Sequence, residues 1–157
     1  MRELNTQEYI SMLRELINEG KEVGLIISGS SMAPFLIHHR DRVFLRQPYR
    51  ELRIGDIVFY QRKNGQFVMH RIYKIRGLLY DMIGDAQTEV EYGIKREQIF
   101  GLVTKVQRKG KWLTPNKPIW KLFSSIWIKI IPLRPFIINS IKWIYMIQRK
   151  RRYENEQ

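Results

Sequence analysis

From Lys21 to about Arg108 the chain is built from short runs of β-branched and aromatic residues: "VGLIIS", "RVFLR", "DIVFY", "QFVMHRIYKI", "LLYDMI" and "IFGLVTKV". Gly, Pro, Asn and Asp separate them, and the runs are too short and too β-prone for helices, so a mostly β domain is expected over 21–108. Asn64-Gly65 in "KNGQ" is a hairpin signal, because both residues tolerate the left-handed backbone that tight hairpin turns need. No repeat period or low-complexity tract interrupts the pattern.

The flanks differ from this core. In residues 1–20, Tyr9, Ile10, Met12, Leu13, Leu16 and Ile17 recur at helical spacing, with Asn5 or Thr6 placed to cap the start and Gly20 the end. A short amphipathic helix is expected there. These residues hold no charge-free apolar stretch of the kind that makes a signal peptide or a spanning helix, so export by the usual signal is not expected. After a linker over 109–118, the segment 119–152 is dense in Ile, Trp and Phe, but Lys121, Lys129, Arg134 and Lys142 interrupt it and Pro132 and Pro135 break it. No uninterrupted apolar run reaches the roughly 18 to 20 residues of a bilayer crossing. The expectation is an amphipathic helical appendage lying in a membrane interface, with its charges at the head groups and Trp120, Trp127 and Trp143 at the boundary. A helical hairpin packed on the β domain is the alternative. On the first view, a chain cut after about Asn116 keeps a soluble, working core. Arg149, Lys150, Arg151 and Arg152 form a basic cluster before the tail 153–157.

Charge and composition narrow the chemistry. The 157 residues include no cysteine, which excludes a disulfide framework, a CxxC redox centre and a thiolate zinc site. A formal charge of +13 calls for an anionic partner, either nucleic acid or an anionic membrane. His38 and His39 are the one adjacent pair that hints at a metal, but neighbouring side chains diverge and no companion ligands stand out, so no metal or other cofactor is expected.

"SGSSMAPFL", Ser28 to Leu36, follows the apolar run "VGLII" at once. A serine hydroxyl attacks a carbonyl only when a base takes its proton and N–H groups await the oxyanion, so nucleophilic serines sit on constrained turns. Gly29 and Pro34 make such a turn, although serine-rich turns are more often only turns.

The boxes "GSSMAPFL", "DRVFL", "GDIVFY", "VMHRI" and "IGD" follow one another between about Val23 and Val106. In that order they resemble the signal peptidase I clan, which also includes mitochondrial inner-membrane peptidases and self-cleaving SOS-type repressors. The resemblance implies a signal-peptidase-like β core, with Ser31, the serine before the methionine, as nucleophile. Bacterial-type members carry a lysine where this chain has His70 in "VMHRI"; the histidine matches the archaeal and endoplasmic-reticulum type and takes the role of general base. Such an imidazole accepts a proton near neutral pH without the burial a lysine needs, with a rise in activity expected near the free histidine pKa of roughly 6.5. Lys74 is the fallback base, four residues along the strand and so on the same face.

Asp85 in "IGDAQ" matches the late Gly-Asp of the clan and would orient the imidazole as in a serine triad; a plain turn aspartate is the alternative. Glu89 and Glu91 fall where histidine-type relatives have a further Asp, at a different local spacing. Several relatives read S-G-S-M, whereas here Gly29 stands two before the nucleophile and Ser30 intervenes. The oxyanion site is then expected to be backbone N–H, with Ser28 or Ser30 in support and Gly29 and Met32 near the substrate. Met32 and Phe35 are expected to be exposed beside the serine. Arg40 replaces the usual glycine before Asp41, and Asp41 and Asp56 are expected to close turns. Arg71 should face away from His70.

These readings together imply a membrane-associated serine endopeptidase, peripheral or interfacial, that removes signal or leader peptides, with an anionic membrane surface as partner and no nucleic acid. Two other classes stay open: a self-cleaving DNA-binding repressor, for which only about thirty residues precede the serine box, too few for a helix-turn-helix domain and linker, and an inactive membrane-binding module.

Overall fold

The computed structural model describes the backbone of residues 6–155 and the side chains of residues 6–151. Asn5, the side chain of Arg152 and the end of the tail lie outside that range. One helix, α1 (Thr6–Asn18), precedes the sheet, and it buries Ile10, Leu13 and Ile17 along one stripe. It ends as the Gly20 position allows, with the Lys21 N–H donating to the Leu16 carbonyl at 3.0 Å.

Eight antiparallel strands follow: β1 (Val23–Ile26), β2 (Asp41–Arg46), β3 (Ile57–Gln61), β4 (Phe67–Arg76), β5 (Leu79–Ile83), β6 (Glu91–Lys95), β7 (Ile99–Arg108) and β8 (Lys111–Leu113). They pair in the order β1-β2-β7-β3-β4-β5-β6, with β8 on β7 inside the expected linker. The mainly β expectation is met. β3 shows why "DIVFY" is continuously apolar: Ile57 and Phe59 enter one buried cluster with α1, while Val58 and Tyr60 enter a second with Ile72, Met82 and Leu102. Successive residues of a strand face opposite ways, so a strand covered on both sides loses its polar alternation.

The C-terminal region divides. Helix α2 (Pro118–Leu122) and the π-helical turn Phe123–Trp127 pack into the first cluster, burying Trp120, Phe123 and Trp127. Phe35 lies against Trp120 at 5.4 Å and Phe123 at 4.9 Å between ring centroids. After a short 3₁₀ turn, α3 (Arg134–Asn155) leaves Phe136, Trp143, Tyr145 and Met146 exposed. Two expectations are corrected here. Trp120 and Trp127 are core residues, not interface anchors. Arg134, expected at the head groups, is fully buried, donating to the carbonyls of Trp127, Gly84 and Gln87. A cut after Asn116 would strip a wall of the core. Among the described residues no single helix is long and apolar enough to cross a membrane; Pro118–Trp127 and Ile131–Arg151 meet that length and composition only together, bent by 104°.

Candidate active site

The serine turn is held from three sides. The Ile37 N–H donates to Asp41 Oδ2 at 3.0 Å, and Arg40 and Arg108 grip the same carboxylate, which is buried. Burial alone would raise the Asp41 pKa, but the two arginines and the Ile37 N–H outweigh it and hold it below the ordinary value. Arg108 also reaches the Phe35 carbonyl. From the third side comes the loop after β5: the Ala86 N–H donates to the Ser31 carbonyl at 2.9 Å. Gly84 allows this approach, because a Cβ there would sit 2.5 Å from the Ser31 oxygen.

Ser31 and His70 line one cleft of about 610 Å³, bordered by Leu25, Ile26 and Ile27 at the end of β1, by Met69, and by Tyr9 and Ile10 of α1. Ser28, Gly29 and Met32 line it too. Ser30 is exposed. Met32 and Phe35, expected to be exposed, are both buried in the core. The Gly29 N–H is spent on His38 Nδ1 at 2.9 Å, and His38 stacks on His39. With Gly29 so engaged, the N–H groups of Ser30, Ser31 and Met32 take no acceptor among the described residues and are the backbone donors left beside the Ser31 side chain. No hydrogen bond joins the Ser31 hydroxyl to His70 among those residues. Catalytic hydrogen bonds commonly tighten only when substrate is bound.

His70 is only 3% exposed. Its backbone lies opposite Val58 on β3, so Tyr60, two residues along, is its diagonal neighbour on the same face. His70 Nδ1 lies 3.2 Å from the Tyr60 hydroxyl, which lies 2.6 Å from Glu91 Oε2. Arg62 holds both Glu91 oxygens, at 2.8 and 2.7 Å. Burial lowers the imidazole pKa to about 4, with the Glu91 charge pulling it back up and Arg62 adding to the fall. His70 also edges a second, smaller hollow of about 380 Å³ lined by Arg62, Gln87, Glu89 and Glu91, so the ring stands between the serine cleft and the acidic group.

Asp85 is placed elsewhere than expected. Arg71 takes both of its oxygens, at 2.9 and 2.7 Å, and donates to the Gly55 carbonyl at 2.9 Å; both side chains are fully buried. The Arg71 guanidinium lies 5.0 Å from the Phe35 ring centre, and the Trp127 indole donates to the Asp85 carbonyl. The group found on the imidazole is Tyr60, not Asp85. Lys74 is also displaced, because a bulge between Ile72 and Lys74 breaks the strand's alternation and leaves Lys74 exposed opposite Asp81. Asp56, like Asp41, closes a turn, accepting from the Arg53 N–H at 2.8 Å.

Tyr60 ends the box "GDIVFY" with nothing to mark it apart from a core strand residue, Arg62 lies outside the boxes, and Glu91 carries only the signal of its rough position. Among the described residues no cluster of three or more His, Asp or Glu side chains is arranged to hold a metal. Comparison of the chain with family models and with curated proteins finds no match to either.

Proposed function

We propose that this chain is a signal-peptidase-like serine endopeptidase that cleaves a signal or leader peptide, with Ser31 as nucleophile and His70 as general base. The observation that carries this is the shared cleft of Ser31 and His70, with β1 along its wall. β1 is a terminal strand of the sheet order, so an extended peptide has an unpaired edge to add to beside the serine. In the proposed reaction the Ser31 oxygen attacks the peptide carbonyl as its proton passes to the imidazole. The C–N bond then breaks as that proton goes to the leaving amine, and water, activated by the same imidazole, releases the acyl group.

The test uses the full chain, a serine-reactive phosphonate probe and a leader peptide with small residues before the cut. Labelling of wild type but not Ser31→Ala, together with cleavage of the peptide, is expected. A chain that is neither labelled nor active is the inactive module. A salt-dependent shift of duplex DNA, with cleavage only of the chain itself, would favour the repressor instead.

For location we propose an anionic membrane surface as the partner of α3. Phe136, Trp143 and Met146 on α3, with Leu133 in the turn before it, are all more than half exposed, and Lys142, Arg149, Lys150 and Arg151 supply positive charge. Flotation with vesicles containing anionic lipid should carry the wild-type chain and lose it in high salt or in Phe136→Ser/Trp143→Ser. Equal flotation of that double variant would remove α3 as the contact.

A further inference from the structure

The chemistry of the chain His70, Tyr60, Glu91 fixes more than proximity. Glu91 is held below the ordinary glutamate pKa: its partial burial acts the other way, but the hydrogen bonds from Arg62 and Tyr60 outweigh it. Near neutral pH it is therefore a carboxylate, which only accepts. The Tyr60 phenol is pushed far above its ordinary value, by burial first and by Glu91 second, and keeps its proton. At 2.6 Å from Glu91 Oε2 that proton has one destination. A phenol that donates to Glu91 can only accept from His70, so the contact at 3.2 Å needs a proton on Nδ1. With a pKa of about 4 the ring is neutral at pH 7 and carries one N–H. If that proton is on Nδ1, Nε2 holds the lone pair.

We propose that Glu91, acting through the Tyr60 hydroxyl, fixes His70 in its Nδ1–H tautomer and so makes Nε2 the nitrogen that accepts the Ser31 proton. Tyr60 and Glu91 are positioning residues here. Arg62 completes the arrangement by occupying both Glu91 oxygens and keeping them charged. The relay also stabilises the imidazolium as it forms, since the Nδ1–H then bonds a phenol oxygen polarised by a carboxylate. The consequence for catalysis rests on the peptidase proposed above; the tautomer itself does not.

The decisive measurement is the two-bond ¹H–¹⁵N correlation spectrum of the full chain labelled in its histidines, at pH 7, with the His70 signals assigned by their loss in His70→Gln. In wild type His70 should show a protonated Nδ1 and a bare Nε2. In Glu91→Ala the phenol loses its acceptor and turns its O–H to Nδ1, so the ring proton should move to Nε2. In Tyr60→Phe neither nitrogen is specified and a mixture of tautomers should appear, with kcat for a leader peptide falling about 10²-fold, the span of general-base assistance, and KM little changed. A protonated Nε2 in wild type overturns the proposal without need of any variant. So does an unchanged Nδ1–H signal in folded Tyr60→Phe. If the tautomer is as stated but Ser31 neither labels nor cleaves, the peptidase is wrong and the relay stands; if peptide is cleaved while the tautomer is the other one, only the relay falls.

Discussion

His70 and Arg71 are neighbours on β4, both polar and both buried, yet they face opposite sides of the sheet and do opposite things. Arg71 has every partner it needs: two carboxylate oxygens, a carbonyl and an aromatic face. Nothing is left over for chemistry. His70 has one ring nitrogen engaged, and its ring edges the cleft that holds Ser31. A buried polar group with all its bonds made is a fastening; one whose ring borders an open cleft with a nitrogen to spare is available to react. The Arg71 side also extends into the C-terminal region. Asp85 and its neighbours are tied to Trp127 and Arg134, and the same loop holds the Ser31 carbonyl.

The contrast predicts opposite phenotypes, largest on the His70 side. If the proposed nucleophile and base act as one unit, Ser31→Ala and His70→Gln should each lower kcat/KM for a leader peptide by about 10³-fold or more, and the double variant should be little worse. Their urea midpoints at pH 7 should stay near wild type, since the His70 ring is neutral there and Gln replaces it without adding a charge. Lys74→Ala should leave cleavage unchanged, since the bulge turns it away from the cleft. Activity that survives His70→Gln but not Lys74→Ala would move the base to the lysine and dissolve the comparison.

On the Arg71 side the loss should appear as stability. Asp85→Ala leaves a guanidinium buried without its carboxylate, a change that costs about 3–5 kcal/mol, and its urea midpoint should fall accordingly. Whatever remains folded should still label at Ser31. A variant as stable as wild type but inactive would put Asp85 among the reacting groups after all. Cutting after Asn116 attacks the same side more broadly, removing Trp120, Phe123, Trp127 and Arg134 together. Cooperative unfolding should be lost, and a truncated chain that still melts in one transition and cleaves peptide would show that these residues merely rest on the core.

The strands were legible because short β-branched runs bounded by turn residues admit little else, and α1 because its apolar stripe had one period. Face and register were not. A two-residue Asn64-Gly65 loop would pair Lys63 with Gln66, but the hairpin closes around Lys63–Gly65, with Gly65 left-handed at φ 87° and Arg62 N–H donating to the Gln66 carbonyl. One residue of register exchanges every face of the hairpin, so whether Tyr60 lies beside His70 or behind it cannot be read from the boxes. The Glu91 contact depends further on the register shift between Tyr80 and Met82 in the pairing of β5 with β6. In the C-terminal segment the tryptophans carry equal weight as core or as interface anchors. Packing distinguishes them, Trp120 and Trp127 being buried in the first cluster and Trp143 exposed, and the buried Arg134 holds that packing through carbonyl acceptors, although an arginine in an apolar run reads as exposed until its acceptors are known.

The smallest of the expected effects isolates His70 by pH. Its folded pKa of about 4 lies below the unfolded value of roughly 6.5, so the unfolded chain binds the proton first as the medium is acidified. Stability is independent of this proton above pH 6.5, falls by about 1.4 kcal/mol per pH unit between 6.5 and 4 as the unfolded chain alone takes it up, and is lower by roughly 3 kcal/mol below 4. Asp41, Asp81 and Glu91, all held below their ordinary values, lose their contributions only at lower pH, so the window from 6.5 to 5 belongs to His70. Urea unfolding across that window should therefore show a slope in wild type that His70→Gln abolishes and Asp85→Asn leaves in place. With His70 as the proposed base, the same displacement should move the acid limb of kcat/KM from the free histidine value down toward 4, and cleavage should remain near its neutral-pH level at pH 5.5. An acid limb centred at 6.5, with no difference in slope between wild type and His70→Gln, would mean that His70 is solvated in solution and that the two sides of β4 are less unlike than their burial makes them.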